Sequence, residues 1–477
     1  MEQFEPITTE ALIGILGQTI KRDDINKLIA FLAMLSVYTE DSQLNISFNA
    51  PSSSGKSFIP LEIAQLFPKE DVIQVGYCSP TAFFHQVGTY DKEKQGYIVD
   101  LSQKILIFLD QPHTLLLQHL RPMLSHDKKE ILLKITDKSQ KAGLRTKNIY
   151  LIGYPVVIFC TAGLMLDEQE ATRFLLLSPE INQEKIREAI YEKIRKESAV
   201  STYNDLVETD PLRLGLKERI QAIKQLHIIE IRIGSKRIDE LFFQRAKTLK
   251  PRHQRDIGRI LSLVKVFALL NFWGRKQIDS AVYADESDVE EAFKLWDVIS
   301  ESQELNLPPY VYNLYNDVIV AAYKEKNGNN SEYNDRVKLG LTRQKIMQKH
   351  FAVYGRFLPD WQLRQQILPM LETAGLIIQE ADFGDKRKIL IYPTTLLTIS
   401  EDQNNSELHG GVEPEETTSN TQKQDEPAGT PPETLSPCYA CGGTKFWKTK
   451  DGETNCATCH PPASEKDAVE WLGEEGT

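Results

Sequence analysis

Cysteine is scarce in this chain, with six in 477 residues. Cys78 and Cys160 stand alone in apolar surroundings, where a thiol behaves as a small buried hydrophobe, and the other four fall within 22 residues near the end. That usage suits a reducing cytoplasm. Positive charge is also short. Lys and Arg number 56 against 67 Asp and Glu, a formal net of -11, which argues against indiscriminate coating of nucleic acid. No apolar stretch free of charge reaches the ~18 residues of a membrane span, so no membrane partner is expected. The opening MEQFEPITTEAL is acidic and lacks the basic region and apolar run of an export signal.

What is present is a chain rich enough to bury a large core. Hydrophobic residues make up 41% of it, and its length suits two or three domains. Charge is unevenly spread. Residues 401–437 hold nine acidic side chains and one basic one, Lys423, whereas 336–393 hold ten Lys or Arg against five Asp or Glu. A small basic module followed by an acidic tether fits that pattern.

The clearest chemical signal lies near the start. Residues 22–38 carry Ile25, Leu28, Ile29, Leu32 and Leu35 at helical spacing. A short strand over 44–48 then runs into Ala50-Pro51-Ser52-Ser53-Ser54-Gly55-Lys56-Ser57, and a helical pattern follows over 58–67. Strand, glycine-containing loop and helix are the context of a phosphate-binding loop, although Ala50 stands where the full pattern has glycine. Backbone N–H groups around Ser53, Ser54 and Gly55 would accept phosphate charge. Lys56 would reach the β and γ phosphates of ATP, and Ser57 would hold Mg2+.

A second apolar strand, Ile105-Leu106-Ile107-Phe108-Leu109, ends in Asp110, which is placed either to coordinate Mg2+ through Ser57 and water or to cap the next helix. Gln111 follows where a hydrolytic enzyme usually places a glutamate, and an amide cannot act as a general base. A third strand over 154–160 ends near Thr161. Strands alternating with helices around one phosphate loop indicate a three-layer α/β core.

The region 44–300 resembles the AAA+ ATPase domain of minichromosome-maintenance helicases and the related replication ATPases of plasmids and mobile elements. Four features carry the resemblance: the 50–57 loop; Asp110; Lys141-Ala142-Gly143-Leu144 leading into a hairpin over Arg145–Ile152; and Thr161 followed by Thr172-Arg173-Phe174-Leu175. It implies an AAA+ core over 44–180 with a helical lid over 181–300, Thr161 as the polar sensor, and Arg173 reaching the nucleotide of a neighbouring subunit. The pattern over 181–300 is itself almost wholly helical, with Ile228 to Ile233 readable as a short strand. A hexameric homo-oligomeric ring is implied too, with the hairpin near Arg145 and Lys147 tracking DNA. Departures are Ala50, Gln111 and the 43 residues before the first strand, too few for those helicases' large amino-terminal domain. Arg173 read alone is a solvated surface cation. Arg252, Arg255 and Arg259 share one helical face, from which Arg255 would sense nucleotide, or the face is simply solvated.

Residues 301–400 read as a winged helix, with Leu363, Ile367, Met370, Leu371 and Ala374 in one stripe and Gln362, Arg364 and Gln365 beside it. Its wing tip, Lys386-Arg387-Lys388, suits a nucleic-acid backbone or an ordinary solvated turn. Residues 401–437 read as a disordered linker. Cys438, Cys441, Cys456 and Cys459 then form two CxxC pairs separated by 14 residues. That spacing suits tetrahedral Zn2+ in a ribbon over 438–460. The expected activity is ATP hydrolysis coupled to DNA unwinding or translocation in replication. The alternative is a weakly hydrolysing DNA-binding switch that loads or recruits another replication or transposition factor.

Overall fold

The computed structural model describes residues 3–76, 78–79, 89–137, 145–164, 172–226, 230–278, 281–327, 339–382, 384–394, 445–448, 454–457 and 470–472. The chain divides into two units, Met1–Leu408 and His409–Thr477.

The first nine strands are β1 (Ile46–Asn49), β2 (Val72–Val75), β3 (Thr89–Asp91), β4 (Gly96–Asp100), β5 (Ile105–Phe108), β6 (Glu130–Asp137), β7 (Arg145–Ile152), β8 (Val156–Thr161) and β9 (Leu175–Leu177). Five of them form an all-parallel sheet in the order β2-β5-β8-β1-β9. Every residue of β1, β5, β8 and β9 is buried, as strands covered on both faces require. Alternation along the strands sorts their side chains into two cores. Ile105, Ile107, Val156, Ile158 and Cys160 join one. Leu106, Phe108, Val157 and Phe159 join the other.

Helices Asp24–Leu35, His253–Leu270 and Glu286–Glu304 supply the first core. The helical region expected as a lid therefore shares its core with the sheet. It also carries a three-stranded sheet of β10 (Glu230–Arg232), which falls within the strand reading of 228–233, with β11 (Lys276–Ile278) and β12 (Ala281–Tyr283), which the helical pattern hid. The second core lies between the parallel sheet, helix Thr114–Leu124 and a four-stranded sheet in the order β3-β4-β7-β6. The hairpin expected at Arg145–Ile152 is β7 paired antiparallel with β6; its tip, including Lys141, Ala142, Gly143 and Leu144, lies outside the described residues. The edge strand β9 is sealed by a side chain. Gln303, fully buried, donates to the Leu176 carbonyl at 2.7 Å and accepts from the Leu176 N–H at 3.1 Å, so the edge offers no open backbone there.

The segment expected as a winged helix builds a third core. Its helix Arg343–Tyr354 begins at Thr342, whose side chain accepts from Lys345 N–H, and ends at Gly355 in the left-handed region (φ 65°). Glycine meets that C-terminal geometry without a Cβ clash. The next helix starts at Asp360 and passes through a π segment, Leu363–Ile367, to Thr373. The wider turn shifts the apolar stripe: Leu368 is fully buried beside Leu363, Ile367 and Leu371, while Met370 and Ala374 are only partly buried. Strands β13 (Ile377–Ala381) and β14 (Ile389–Pro393) pair antiparallel as the wing. Leu164, from the loop after β8, is buried within this third core.

The second unit contains an antiparallel sheet of β15 (Phe446–Lys448), β16 (Thr454–Cys456) and β17 (Glu470–Leu472), ordered β16-β15-β17. Its third strand lies beyond residue 460, where the ribbon was expected to end. Cys456 is buried on β16. Cys438, Cys441 and Cys459 lie outside the described residues, as does the 401–437 linker. Among the described residues no group of three metal-ligating side chains occurs, and no helix is long and apolar enough to cross a membrane.

Candidate nucleotide site

The loop after β1 turns through two residues in the left-handed region, Ser53 (φ 63°) and Gly55 (φ 89°). Glycine adopts that conformation freely, whereas a serine there is strained by ~1 kcal/mol. Strain of this kind persists where the surroundings fix the backbone. Here β8 fixes it: Ala50 N–H donates to the Thr161 carbonyl at 3.3 Å, and the Cys160 thiol donates to the Lys56 carbonyl at 3.4 Å. Burial pushes that thiol up to about 12, keeping it protonated as the donor. The turn closes into helix Phe58–Ala64 through Phe58 N–H on the Gly55 carbonyl, with Ser57 immediately before the helix. The Ser54 hydroxyl is buried with no hydrogen-bond partner among the described residues.

Lys56 is half-buried. Burial holds its ammonium below the ordinary lysine range, Cys160 and Asp110 oppose that shift, and the charge of Arg356 adds to it. Asp110 lies two residues past β5, exposed, and accepts from the Gln111 N–H at 2.8 Å. The Gln111 amide oxygen accepts from the Thr161 hydroxyl at 3.3 Å, and that hydroxyl accepts from Gly163 N–H at 2.9 Å. Adjacent parallel strands β5, β8 and β1 thus bring Ser53, Ser54, Gly55, Lys56, Ser57, Asp110, Gln111 and Thr161 to one edge of the sheet. Ligands of open α/β sheets bind in the crevice outside the carboxyl ends of the strands.

Arg173 and Arg255 are not at that edge. Arg173 precedes β9, whose first residue pairs with Ile46 at the start of β1, while the loop leaves β1 at its other end. Arg173 Nε donates to the Ser125 hydroxyl at 2.8 Å. It lines a cleft of about 380 Å³ together with Thr172, Gln254, Arg255 and Lys265. The three arginines of the shared helical face separate by task. Arg259 is largely buried and donates to the carbonyls of Thr172 and Phe174 at 2.9 and 3.0 Å, bracing the backbone on both sides of Arg173. Burial brings its guanidinium down to about 10. Arg252 bonds Asp256 and Asn306, and Arg255 alone of the three is exposed.

One functional candidate was not read from the sequence. Arg356, just after the helix Arg343–Tyr354, donates from Nη1 to the Ser52 carbonyl at 2.7 Å, on the turn that follows β1. The two residues are 304 apart in sequence, and the only local sign is Gly355, a helix stop that turns the chain at that point. Lys147, expected to face DNA, lies over the Tyr97 ring at 3.6 Å. Gln362 is half-buried, whereas Arg364, Gln365, Lys386, Arg387 and Lys388 are exposed, with Lys388 3.6 Å from Asp385.

No protein-family model matches the chain, and no curated protein matches it. Among solved structures, the full-length MCM homolog from Methanopyrus kandleri is similar at 12% identity with a TM-score of 0.37, the match covering 64% of each chain. The match therefore spans less than two thirds of that protein.

Proposed function

We propose that this chain is an ATP-dependent AAA+ motor or remodeller acting on DNA as a ring of identical subunits. One observation carries the reading. Lys56, Ser57, Asp110 and the Gln111–Thr161 pair share one edge of the parallel sheet, while Arg173 and Arg255 open at the other. A nucleotide held at the first edge needs the second edge of another copy for completion. Ser57 and Asp110 offer the oxygen donors that Mg2+ takes, and the ion would supply charge neutralisation on the β and γ phosphate oxygens. Lys56 binds the same phosphates, and Thr161 with Gln111 orients a water. Arg173 of the adjacent copy neutralises charge developing on the γ phosphate, with Arg255 beside it.

A slower switch is the second reading, favoured by Gln111. Its amide oxygen is engaged by Thr161 and cannot take a proton from water. Such a protein would load or recruit a replication or transposition factor rather than track along DNA.

The nucleotide assignment is tested by Lys56→Ala, which is expected to lose ATP binding with its thermal unfolding unchanged; undiminished affinity would remove the assignment. Two further parts of the reading are DNA contact by the wing and a zinc ribbon held by Cys438, Cys441, Cys456 and Cys459. Four soft thiolates in two CxxC pairs fit Zn2+ chemically, and Cys456 is already buried on a strand. One set of measurements covers both. Replacing Lys386, Arg387 and Lys388 should flatten the salt dependence of DNA binding by up to ~2.7 in log–log slope, and Cys438→Ser with Cys456→Ser should remove one zinc per chain. An unchanged slope makes the wing a protein-docking surface, and unchanged zinc content excludes these ligands.

A further inference from the structure

Arg356 reaches the phosphate loop from the winged helix, and the route that holds it there is specific. The His350 side chain, 1% exposed, bonds the Arg356 carbonyl through Nδ1 at 3.0 Å and the Tyr310 hydroxyl through Nε2 at 2.9 Å. Burial depresses the pKa of His350, so the neutral ring donates at one nitrogen and accepts at the other. Tyr310 N–H donates to the Ser178 hydroxyl at 3.0 Å, and that hydroxyl donates to the Asn49 carbonyl at 2.6 Å. Asn49 is the last residue of β1. The bonds form a circuit that leaves the end of β1, crosses the winged helix and returns to Ser52 through Arg356. Leu164 ties the same body to the sensor loop by burial in the winged-helix core.

The circuit delivers a cation to a place that already holds one. The charge of Arg356 disfavours the Lys56 ammonium across the loop, and like charges drawn together are unfavourable until an anion joins them. Among the described residues no carboxylate ion-pairs with Arg356. Its Nη1 engages a carbonyl, and a planar guanidinium carries five N–H donors suited to phosphate oxygens. A phosphate-loop lysine serves the β and γ phosphates, and a second cation beside it is matched by the further charge that the γ phosphate brings.

We infer that Arg356 is a nucleotide ligand lent by the winged helix to the phosphate loop of its own chain, so that a bound triphosphate and a docked winged helix favour each other. The inference rests on the nucleotide reading of the 53–57 loop and adds to it a sensor acting within one subunit. The wing and the helix from Asp360 would then engage their target from a position set by the nucleotide.

The experiment measures binding of the non-hydrolysable analogue AMP-PNP and of ADP to the full chain, in wild type, Arg356→Ala, Arg356→Lys and Lys56→Ala. Hydrogen–deuterium exchange is followed over Arg343–Tyr354. Arg356→Ala is expected to weaken AMP-PNP about tenfold or more, the size of a lost hydrogen bond to a charged group, with ADP affinity within about twofold of wild type. Arg356→Lys should fall between, keeping the charge and losing the fork. In wild type, AMP-PNP should slow exchange in the helix more than ADP does, and Arg356→Ala should erase that difference. An AMP-PNP to ADP preference equal to wild type in Arg356→Ala overturns the inference, and so does equal loss of both nucleotides. Identical exchange with the two nucleotides in wild type also overturns it, without recourse to any variant. Nucleotide binding that survives Lys56→Ala would instead defeat the nucleotide reading itself.

Discussion

At the carboxyl edge of the parallel sheet most chemistry-bearing side chains ride on loops, Lys56 half-buried and Asp110 and Gln111 exposed, while buried Thr161 ends β8. The amino edge is built the other way. Arg259 lies beneath it, bonded to the carbonyls flanking Arg173, and Arg255 and Arg173 open into a cleft above. The first edge offers a largely exposed set of donors. The second presents cations above a buried, hydrogen-bonded base. The separation of these groups between the two ends of the sheet is what the proposed sharing of one site between two copies rests on.

The comparison can be sharpened from either side. The amino edge should be the more sensitive to structural damage. Arg259→Met removes two hydrogen bonds to backbone carbonyls and leaves the buried Asp256 carboxyl without one of its partners. Breaking a buried pair of this kind costs about 3 kcal/mol. Urea unfolding should show a loss of that order, whereas exposed Arg255→Ala should leave the midpoint in place. A similar loss in both variants would mean that the two arginines do not divide the work.

At the carboxyl edge the expected change is chemical. Gln111→Glu introduces a group able to polarise water and take its proton, and steady-state ATP turnover should rise by up to about a hundredfold. Thr161 remains able to donate to the new carboxylate. Turnover that falls in the variant would show that another residue already serves as base and that the Gln111–Thr161 contact is what matters.

Much of the carboxyl edge was legible in the sequence because its strands are buried on both faces. Ile105–Phe108 and Val156–Cys160 are unbroken apolar runs, and Gly55-Lys56-Ser57 lies in the loop between a strand and a helix. The strand β1 was displaced, expected over 44–48 and found over Ile46–Asn49. There Ser47 and Asn49 satisfy each other by a 2.6 Å hydrogen bond and so enter the core without apolar character. The hairpin β3–β4 and the strands β11 and β12 were not legible because they are short and partly exposed, with charged and polar residues breaking any alternation.

The arginines show a different limit. Spacing placed Arg252, Arg255 and Arg259 on one face, which is where they are, but spacing carries no information about depth. Arg259 became a brace because Thr172 and Phe174 come to it from another part of the chain. Arg356 lay further beyond reach, since its role depends on a contact across 304 residues. Helical periodicity marked the helices of that region, and only the tertiary arrangement brought Arg356 to the loop after β1.

The division of labour between the two edges is tested most directly by mixing subunits. Lys56→Ala damages only the carboxyl edge and Arg173→Ala only the amino edge, so each pure variant should be inactive as an ATPase. A mixed assembly contains some interfaces with an intact Lys56 from one copy facing an intact Arg173 from the next. ATPase activity measured across mixing ratios should therefore reappear and peak near equal proportions. Mixed assemblies verified by differential tagging that stay inactive at every ratio would contradict a site shared between copies.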